Sequence, residues 1–200
     1  MDLPSEAEGQ IDWASEPDRQ ALVEAYHALK THPAAGRIGL EDLAARGSVM
    51  AMIYLGSAFK FGEGATKDLG AAEKWYARAA GAGSAFGKYE LGRLYLRTHR
   101  YEDARRVFIE ATERGYVPAI HFLGRIYLFG YGVETDVVKA ESYLKTAASR
   151  GNLHARRALA HLYLKHGNLR SKLKGIRLWI TSAKDIAKAE SQGDDGDALR

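Results

Sequence analysis

The sequence contains no cysteine, 4 prolines and 3 tryptophans in 200 residues. The absence of cysteine excludes a disulfide framework, a cysteine-ligated zinc site, an iron–sulfur cluster and a thiol nucleophile. The scarcity of proline, together with much Ala, Leu, Glu, Arg and Lys, favours helix. Long apolar runs are also missing. The longest uncharged stretch lies between Arg46 and Lys60 and spans 13 residues, against about 18 for a membrane-spanning helix. The opening run Met1-Asp2-Leu3-Pro4-Ser5-Glu6-Ala7-Glu8 is acidic and has no apolar stretch of signal-peptide type, so the cytoplasm is the expected compartment. What is present is an ordinary globular balance, 46% hydrophobic and 27% charged, enough to build a core at this length.

Charge is unevenly spread. The net charge is +4. Residues 1–50 carry 4 basic and 9 acidic side chains, hence −5, and residues 151–200 carry 10 and 5, hence +5. Between Ser142 and Lys184 there are ten basic residues and no Asp or Glu. Such a stretch can face an anion, or it can be a solvated positive end that balances an acidic start.

The chain repeats itself. A Leu-Gly pair recurs at Leu55-Gly56, Leu91-Gly92 and Leu123-Gly124, and Leu159-Ala160 continues the series. An aromatic follows three residues later each time, at Phe59, Tyr95, Tyr127 and Tyr163. A second block follows each first block. It reads Ala72-x-x-Trp75-Tyr76-x-x-Ala79-Ala80, then Ala104-x-x-Val107-Phe108-x-x-Ala111-Thr112, then Ala140-x-x-Tyr143-Leu144-x-x-Ala147-Ala148. Ile176-x-x-Trp179-Ile180-x-x-Ala183 is a weaker fourth copy. Three copies end in glycine, at Gly83, Gly115 and Gly151.

Both blocks have helical spacing. Positions 52, 55, 56 and 59 share one face of a 3.6-residue helix, and so do 72, 75, 76, 79 and 80. Each repeat therefore reads as two antiparallel helices. Glycine in mid-helix costs about 1 kcal/mol against alanine, so Gly56, Gly92 and Gly124 imply a second helix too close for a Cβ. Ala72, Ala79 and Ala80 form the matching small surface, with Phe59, Trp75 and Tyr76 filling the volume beside it. Gly62-Glu63-Gly64 and Gly130-Tyr131-Gly132 follow the first helices, where glycine takes a positive φ. Asp68 and Asp136 stand where the second helices need N-caps. The second repeat lacks the Gly-x-Gly and turns through Thr98-His99-Arg100-Tyr101. Before residue 51 the pattern is degenerate, with a helix over Asp18 to Lys30 and a short one over Leu40 to Arg46 that ends at Gly47.

The third repeat gives the fullest motif: Leu123-Gly124, Tyr127, Gly130-Tyr131-Gly132-Val133, Asp136, Lys139-Ala140, Tyr143, Ala147-Ala148 and Gly151. It resembles the Sel-one-like repeat, a relative of the tetratricopeptide repeat, and the resemblance covers residues 48–187. The first repeat departs with Ala65 where the family favours Val. The second has the shorter turn, and the fourth lacks both the glycine and the Gly-x-Gly. The resemblance implies an α-solenoid without chemistry of its own, of the kind that serves as an adaptor in signalling, membrane-protein quality control, cell-envelope assembly and bacterial host contact. Some secreted bacterial members carry a disulfide in each repeat, and this chain has no cysteine for one.

The expected architecture is an all-α, right-handed superhelix of antiparallel helix pairs. It divides into a mobile segment over 1–17, a degenerate helical cap over 18–47, repeats over 48–83, 84–115, 116–151 and 152–187, and a polar, disordered tail over 188–200. No catalytic signature is found. Gly62-Glu63-Gly64-Ala65-Thr66-Lys67 lacks phosphate-loop spacing, and no strand precedes it. His154, His161 and His166 lack the i, i+4 spacing of a helical zinc pair. Asp194-Asp195-Gly196-Asp197 lacks the ligand pattern of a calcium loop. No Gly-x-Ser-x-Gly is present. No cofactor or metal is expected.

The remaining positions of the first helices are the candidates for partner binding on the concave face. Three columns arise: Ser57, Arg93, Arg125 and His161; Ile53, Tyr89, His121 and Arg157; and Phe61, Arg97, Phe129 and Lys165. They contain Arg, Lys, Tyr, Phe and His and no acid, which suits a protein or peptide ligand of anionic or mixed character. The same columns can equally be solvated or half-buried helix surface. Two other readings stand beside this one. The basic stretch from Arg156 to Arg177, with Lys172, Lys174 and Trp179, permits nucleic-acid or other polyanion binding, although no nucleic-acid-binding signature is present. Alternatively, the chain is a structural subunit of a larger assembly. Ile176, Leu178, Trp179 and Ile180 crowd into an apolar patch that either covers the last repeat's core or awaits a partner.

Overall fold

The computed structural model describes residues 16–191, which form ten α-helices and no strand among the described residues. The expected mobile segment over 1–17 lies outside the described residues up to position 15, and the expected tail over 188–200 does so from 192 onward. Glu16 is described and buried. Its carboxylate accepts hydrogen bonds from the Ser48 hydroxyl and, at 2.9 Å, from the Met50 N–H.

The chain forms two compact units that meet in sequence between Tyr116 and Val117. The first holds α1 (Arg19–Thr31), α2 (Pro33–Ala45), α3 (Val49–Phe61), α4 (Leu69–Gly81), α5 (Ala85–Arg97) and α6 (Tyr101–Glu113). The second holds α7 (Val117–Phe129), α8 (Val137–Ser149), α9 (Leu153–His166) and α10 (Leu169–Ser191). In each unit successive helices pack as hairpins, and one hairpin stacks on the next through α4 against α5 and through α8 against α9.

Local chemistry sets the helix starts. Ser48, Asp68, Ser84, Asp136 and Asn152 each accept a hydrogen bond from a backbone N–H of the first turn, a contribution of about 1 kcal/mol per cap. Asp68 and Asp136 are the caps expected from sequence. The same two residues donate their own N–H to the Phe59 and Tyr127 carbonyls at 2.9 Å, which closes the Gly-x-Gly connection against the helix it leaves. The short connection of the second repeat works differently. His99 takes a positive φ of 61°, and α6 starts at Tyr101 with no side-chain cap. Arg100 secures this turn by bonding Glu73 at 2.8 and 2.9 Å and by lying 4.2 Å over the Tyr95 ring. In place of a cap, Glu102 and Asp103 in the first turn complement the helix dipole.

The mid-helix glycines have the role expected of them, but the atoms above them are side chains. A Cβ on Gly56 would stand 2.6 Å from the Tyr76 ring, on Gly92 2.6 Å from the Phe108 ring, and on Gly124 2.7 Å from the Leu144 side chain. Tyr76, Phe108 and Leu144 are fully buried. The column of Ala72, Ala104 and Ala140 and the column of Ala79, Ala111 and Ala147 lie beside them, also fully buried. In these three hairpins one large side chain is thus seated on a glycine. Trp75, expected in the core beside Tyr76, is only half-buried, with Arg78 stacked 4.5 Å over its ring. Phe59 is likewise half-buried.

Two expectations need correction. The short helix over Leu40 to Arg46 is a full helix, α2, that begins at Pro33. Proline is tolerated at a first helical position. Gly36 within α2 is a close-packing residue: a Cβ there would meet the Leu29 backbone nitrogen at 2.3 Å. The second correction concerns α10. Ile176, Ile180 and Ala183 were assigned the buried places of Ala140, Leu144 and Ala147, yet all three are exposed. Gly175 and Ser182 are buried in their stead. Gly175 stands 35 residues after Ala140, and Ser182 stands 35 after Ala147, where the sequence pattern implies 36. The glycine has also changed helix. In α9 the seat is Ala160, and a Cβ on Gly175 of α10 would lie 3.0 Å from the Ala160 carbonyl oxygen. The buried Ser182 hydroxyl donates to the Leu178 carbonyl at 2.7 Å, so its burial leaves no donor unmet.

Candidate functional site

In the first unit the candidates stand on α3 (Ser57, Phe61) and on α5 (Tyr89, Arg93, Arg97), where a spacing of four residues aligns them on one helix face. The structure joins several of them through two residues that the columns omit, Lys60 and Glu90. The Lys60 ammonium donates to Glu90 Oε2 at 2.7 Å, and Arg93 donates to Glu90 Oε1 at 2.8 Å. Both Lys60 and Glu90 are buried. Lys60 also lies 4.5 Å from the Phe61 ring centre and 5.6 Å from that of Tyr76. The Ser57 and Tyr76 hydroxyls are 2.9 Å apart and share a hydrogen bond. Burial first, and the nearby Glu90 carboxylate second, push the Tyr76 phenol well above its ordinary range. Arg93 lies 5.5 Å over the Tyr89 ring, and Tyr89 packs in turn against Phe86, Phe108 and Tyr116. Arg97 and Phe61 are exposed.

An acid therefore sits in the middle of a surface read as free of acids. One carboxylate holds two cations, and buried pairs of this kind are costly to break because the surviving charge is left desolvated. Lys60 in the run Ala58-Phe59-Lys60-Phe61 reads as a solvated interruption, since its partner is 30 residues away on another helix. Only the position of Glu90, three residues before Arg93 on α5, could have pointed to the Arg93 contact.

In the second unit the candidates stand on α7 (His121, Arg125, Phe129) and α9 (Arg157, His161, Lys165), again at spacings of four. His121 is buried at 7% exposure, inside the hairpin interface rather than on an open face. It stacks on His154 at 6.1 Å and meets the Phe122 ring edge-on at 5.3 Å. Burial, then the Arg125 charge, then His154 lower its pKa to about 3, so the imidazole is neutral at pH 7. Arg125 lies 5.4 Å from the Phe122 ring centre and 5.9 Å from that of Phe129. Phe129 is 44% exposed and packs against Tyr131 at 5.7 Å and His161 at 6.2 Å. His161, Arg157 and Lys165 are exposed. Phe122, which the columns leave out, is thus part of the cluster. Two acids lie against α9: Asp185 is held by Arg156, the neighbour of Arg157, and Glu141 accepts a hydrogen bond from the Tyr163 hydroxyl at 2.9 Å. No group of three or more histidines and carboxylates is placed to hold a metal among the described residues. Nor is any described helix long and apolar enough to cross a membrane.

Glycine-seated helix hairpins, stacked through small residues and with side chains presented on alternate helices, define an α-solenoid repeat protein. The Sel1 repeat family model matches residues 49–84 and 117–152, the segments that hold α3/α4 and α7/α8. They are also the two hairpins with the Gly-x-Gly connection. Among solved structures the chain is similar to a protective antigen of uropathogenic Escherichia coli strains displaying an SLR fold, with 18% identity and a TM-score of 0.74. That match covers 90% of this chain and 43% of the antigen, so the chain spans less than half the antigen's length. It is also similar to a Sel1 repeat protein from Oxalobacter formigenes, with 23% identity, 82% of this chain, 73% of that one and a TM-score of 0.67. Both likenesses place this chain in the all-α solenoid fold of these proteins.

Proposed function

We propose that the chain is a non-catalytic protein-interaction module that binds an acidic segment of a partner protein or peptide. The observation that supports this reading is the cluster on α7 and α9. The Arg125 guanidinium lies 5.4 Å from the Phe122 ring centre and 5.9 Å from that of Phe129, Phe129 is exposed beside His161, and Arg157 and Lys165 stand open with no ion pair among the described residues. A planar guanidinium held by aromatic neighbours is preorganised for a bidentate carboxylate, and exposed aromatic and Arg anchors are the residue types that dominate binding energy. Phe61, Tyr89 and Arg97 offer a second, smaller set of the same kind in the first unit. The match to a repeat family whose members commonly scaffold other proteins supports the same reading.

The test is fluorescence anisotropy against a panel of acidic peptides that each carry one aromatic residue. Arg125→Glu/Arg157→Glu/Lys165→Glu is expected to lower affinity at least about tenfold with the thermal melt unchanged. A change under about twofold rejects the surface. Arg93 is left out of this variant, because a glutamate there would oppose Glu90 and disturb the fold together with the binding. Single-stranded RNA and DNA of matched charge run in parallel. Tighter binding to these, with the steep salt dependence of counterion release, would replace the peptide reading with the polyanion one.

A further inference from the structure

The one-residue shift of α10 has a chemical consequence. It turns a row of large apolar side chains outward. Leu169 is 77% exposed, Leu173 61%, Ile176 46% and Ile180 43%. Their spacings of 4, 3 and 4 put them on a single stripe about 17 Å long at 1.5 Å per residue, and the exposed Ala183 extends it. The stripe lies opposite the face that packs on α9 through Gly175, Leu178 and Ser182. Trp179, 55% exposed, lies along one margin. The charges are arranged just as systematically. Lys172 stands on the tryptophan margin, while Arg170, Arg177 and Lys184 stand on the other. All four are exposed, and none forms an ion pair among the described residues. The nearest acid on the helix, Asp185, is engaged by Arg156.

The equivalent helix α8 shows what a solvent-facing surface looks like in this chain. Counting 35 residues back, Ile176 and Ile180 correspond to Glu141 and Lys145, which form an ion pair at 2.6 Å between a half-buried carboxylate and an exposed ammonium. The outer helix of a solenoid ordinarily carries a polar face. Here α10 carries Ile176 and Ile180 in place of those charges.

We propose that α10 is an interfacial anchor that lies along an anionic lipid bilayer, with its stripe in the headgroup–acyl boundary. A helix with an apolar face, cationic margins and little net hydrophobicity binds in the plane of a membrane, where tryptophan settles at the headgroup level. Each Lys or Arg near a negatively charged leaflet adds about fivefold in binding. Charge selects this occupant over a second copy of the chain. Both margins bear only cations among the described side chains, so two such helices face to face would set like charges together, whereas phosphatidylserine headgroups neutralise them. The inference uses none of the residues of the peptide-binding surface and stands or falls apart from it.

The full chain is tested by flotation with large vesicles of phosphatidylcholine alone and of phosphatidylcholine with about a third phosphatidylserine, at near-physiological salt. Binding to the anionic vesicles is expected to exceed binding to the neutral ones at least about tenfold. Ile176→Glu/Ile180→Glu should abolish it, and Lys172→Glu/Arg177→Glu should remove the anionic preference. Circular dichroism confirms that the variants fold, and Leu169→Ser/Leu173→Ser serves as a second, milder disruption of the stripe. Trp179 should shift its emission to the blue on anionic vesicles, a signal absent in Trp179→Phe. Undiminished vesicle binding by both stripe variants overturns the proposal. So does a lipid-free dimer, seen by light scattering and lost in the stripe variants, without vesicle binding. Capture of an acidic amphipathic helix by the stripe in preference to vesicles overturns it as well.

Discussion

The hairpins α7/α8 and α9/α10 lie side by side in the second unit and solve the same packing problem in opposite ways. In α7/α8 the first helix supplies the glycine and the second supplies a large residue, Leu144, which sits on it. In α9/α10 the first helix supplies Ala160 and the second supplies Gly175. The close approach survives, and the residue that permits it changes sides. The large residues of α10 are then no longer needed in the core, and they turn outward. Two helices with similar sequence patterns thus differ in which face is wet. The pattern alone does not decide this. The position of the smallest residue at the crossing does.

The largest expected effect lies at the seat of α7/α8. Leu144 is fully buried, so Leu144→Ala should cost about 2–5 kcal/mol in denaturant unfolding, the sum of lost burial and a residual cavity. Ile180→Ala, the residue 36 positions later, should cost under about 1 kcal/mol because much of its surface is already in water. Equal losses at both sites would erase the distinction between the hairpins.

Next in size is an effect of pH between them. His121 on α7 stacks on His154 of α9, and burial, Arg125 and His154 hold its pKa at about 3 in the folded chain. In the unfolded chain it takes up a proton near the ordinary value of 6.5. The folded-state pKa is the lower of the two, so its contribution to stability is complete above about pH 6.5. It is lost progressively as the pH falls towards 3. By pH 4.5 the loss attributable to this group should reach about 2–3 kcal/mol. His121→Gln should flatten that part of the stability–pH curve relative to the native chain, as measured by urea unfolding at each pH. Parallel curves would place His121 in contact with water and weaken the α7/α9 packing described above.

A smaller effect is expected at the glycine itself. A Cβ on Gly124 would stand 2.7 Å from Leu144, and Gly124→Val adds two further methyl groups. Overpacking of this kind costs about 1–3 kcal/mol. Gly124→Val/Leu144→Ala should recover part of that loss, because the valine fills space that the leucine vacates. Purely additive losses in this double-mutant cycle would show that the two residues do not touch.

These comparisons also mark how far the sequence could be read. The helix pairs, the caps Asp68 and Asp136, and the close approach at Gly56, Gly92 and Gly124 were all legible, because each depends on residues within one or two helical turns or on an exact repeat of spacing. What sits above those glycines was not, since an aromatic ring and a helix backbone leave the same small-residue signature. The buried state of Lys60 was invisible for a different reason. It depends on Glu90, 30 residues away, and no local pattern announces a long-range ion pair. His121 looked like one member of a surface column. Its burial follows from the stacking of α9 on α7, which places His154 over it. The fourth repeat failed at the register. Counting 36 residues forward assumes an equal connection, and the α9–α10 turn through Gly167 and Asn168 is too compact for that count.

The smallest expected change is the one that decides that register. If the 36-residue spacing held, Ile176 and Ile180 would occupy the places of Ala140 and Leu144, and charging both would bury two ionised groups at a cost of several kcal/mol. With the 35-residue spacing they stand where α8 bears Glu141 and Lys145, so Ile176→Glu/Ile180→Lys transplants that i, i+4 pair onto the exposed stripe of α10. Such pairs contribute about 0.3–0.5 kcal/mol in water, and the two isoleucines lose little by leaving a face that is already half-wet. The double variant should therefore unfold within about 0.5 kcal/mol of the native chain in urea. A loss above about 2 kcal/mol would return both side chains to the core. It would also remove the apolar stripe on which lipid binding depends, because a face that closes over α9 has nothing left to offer a membrane.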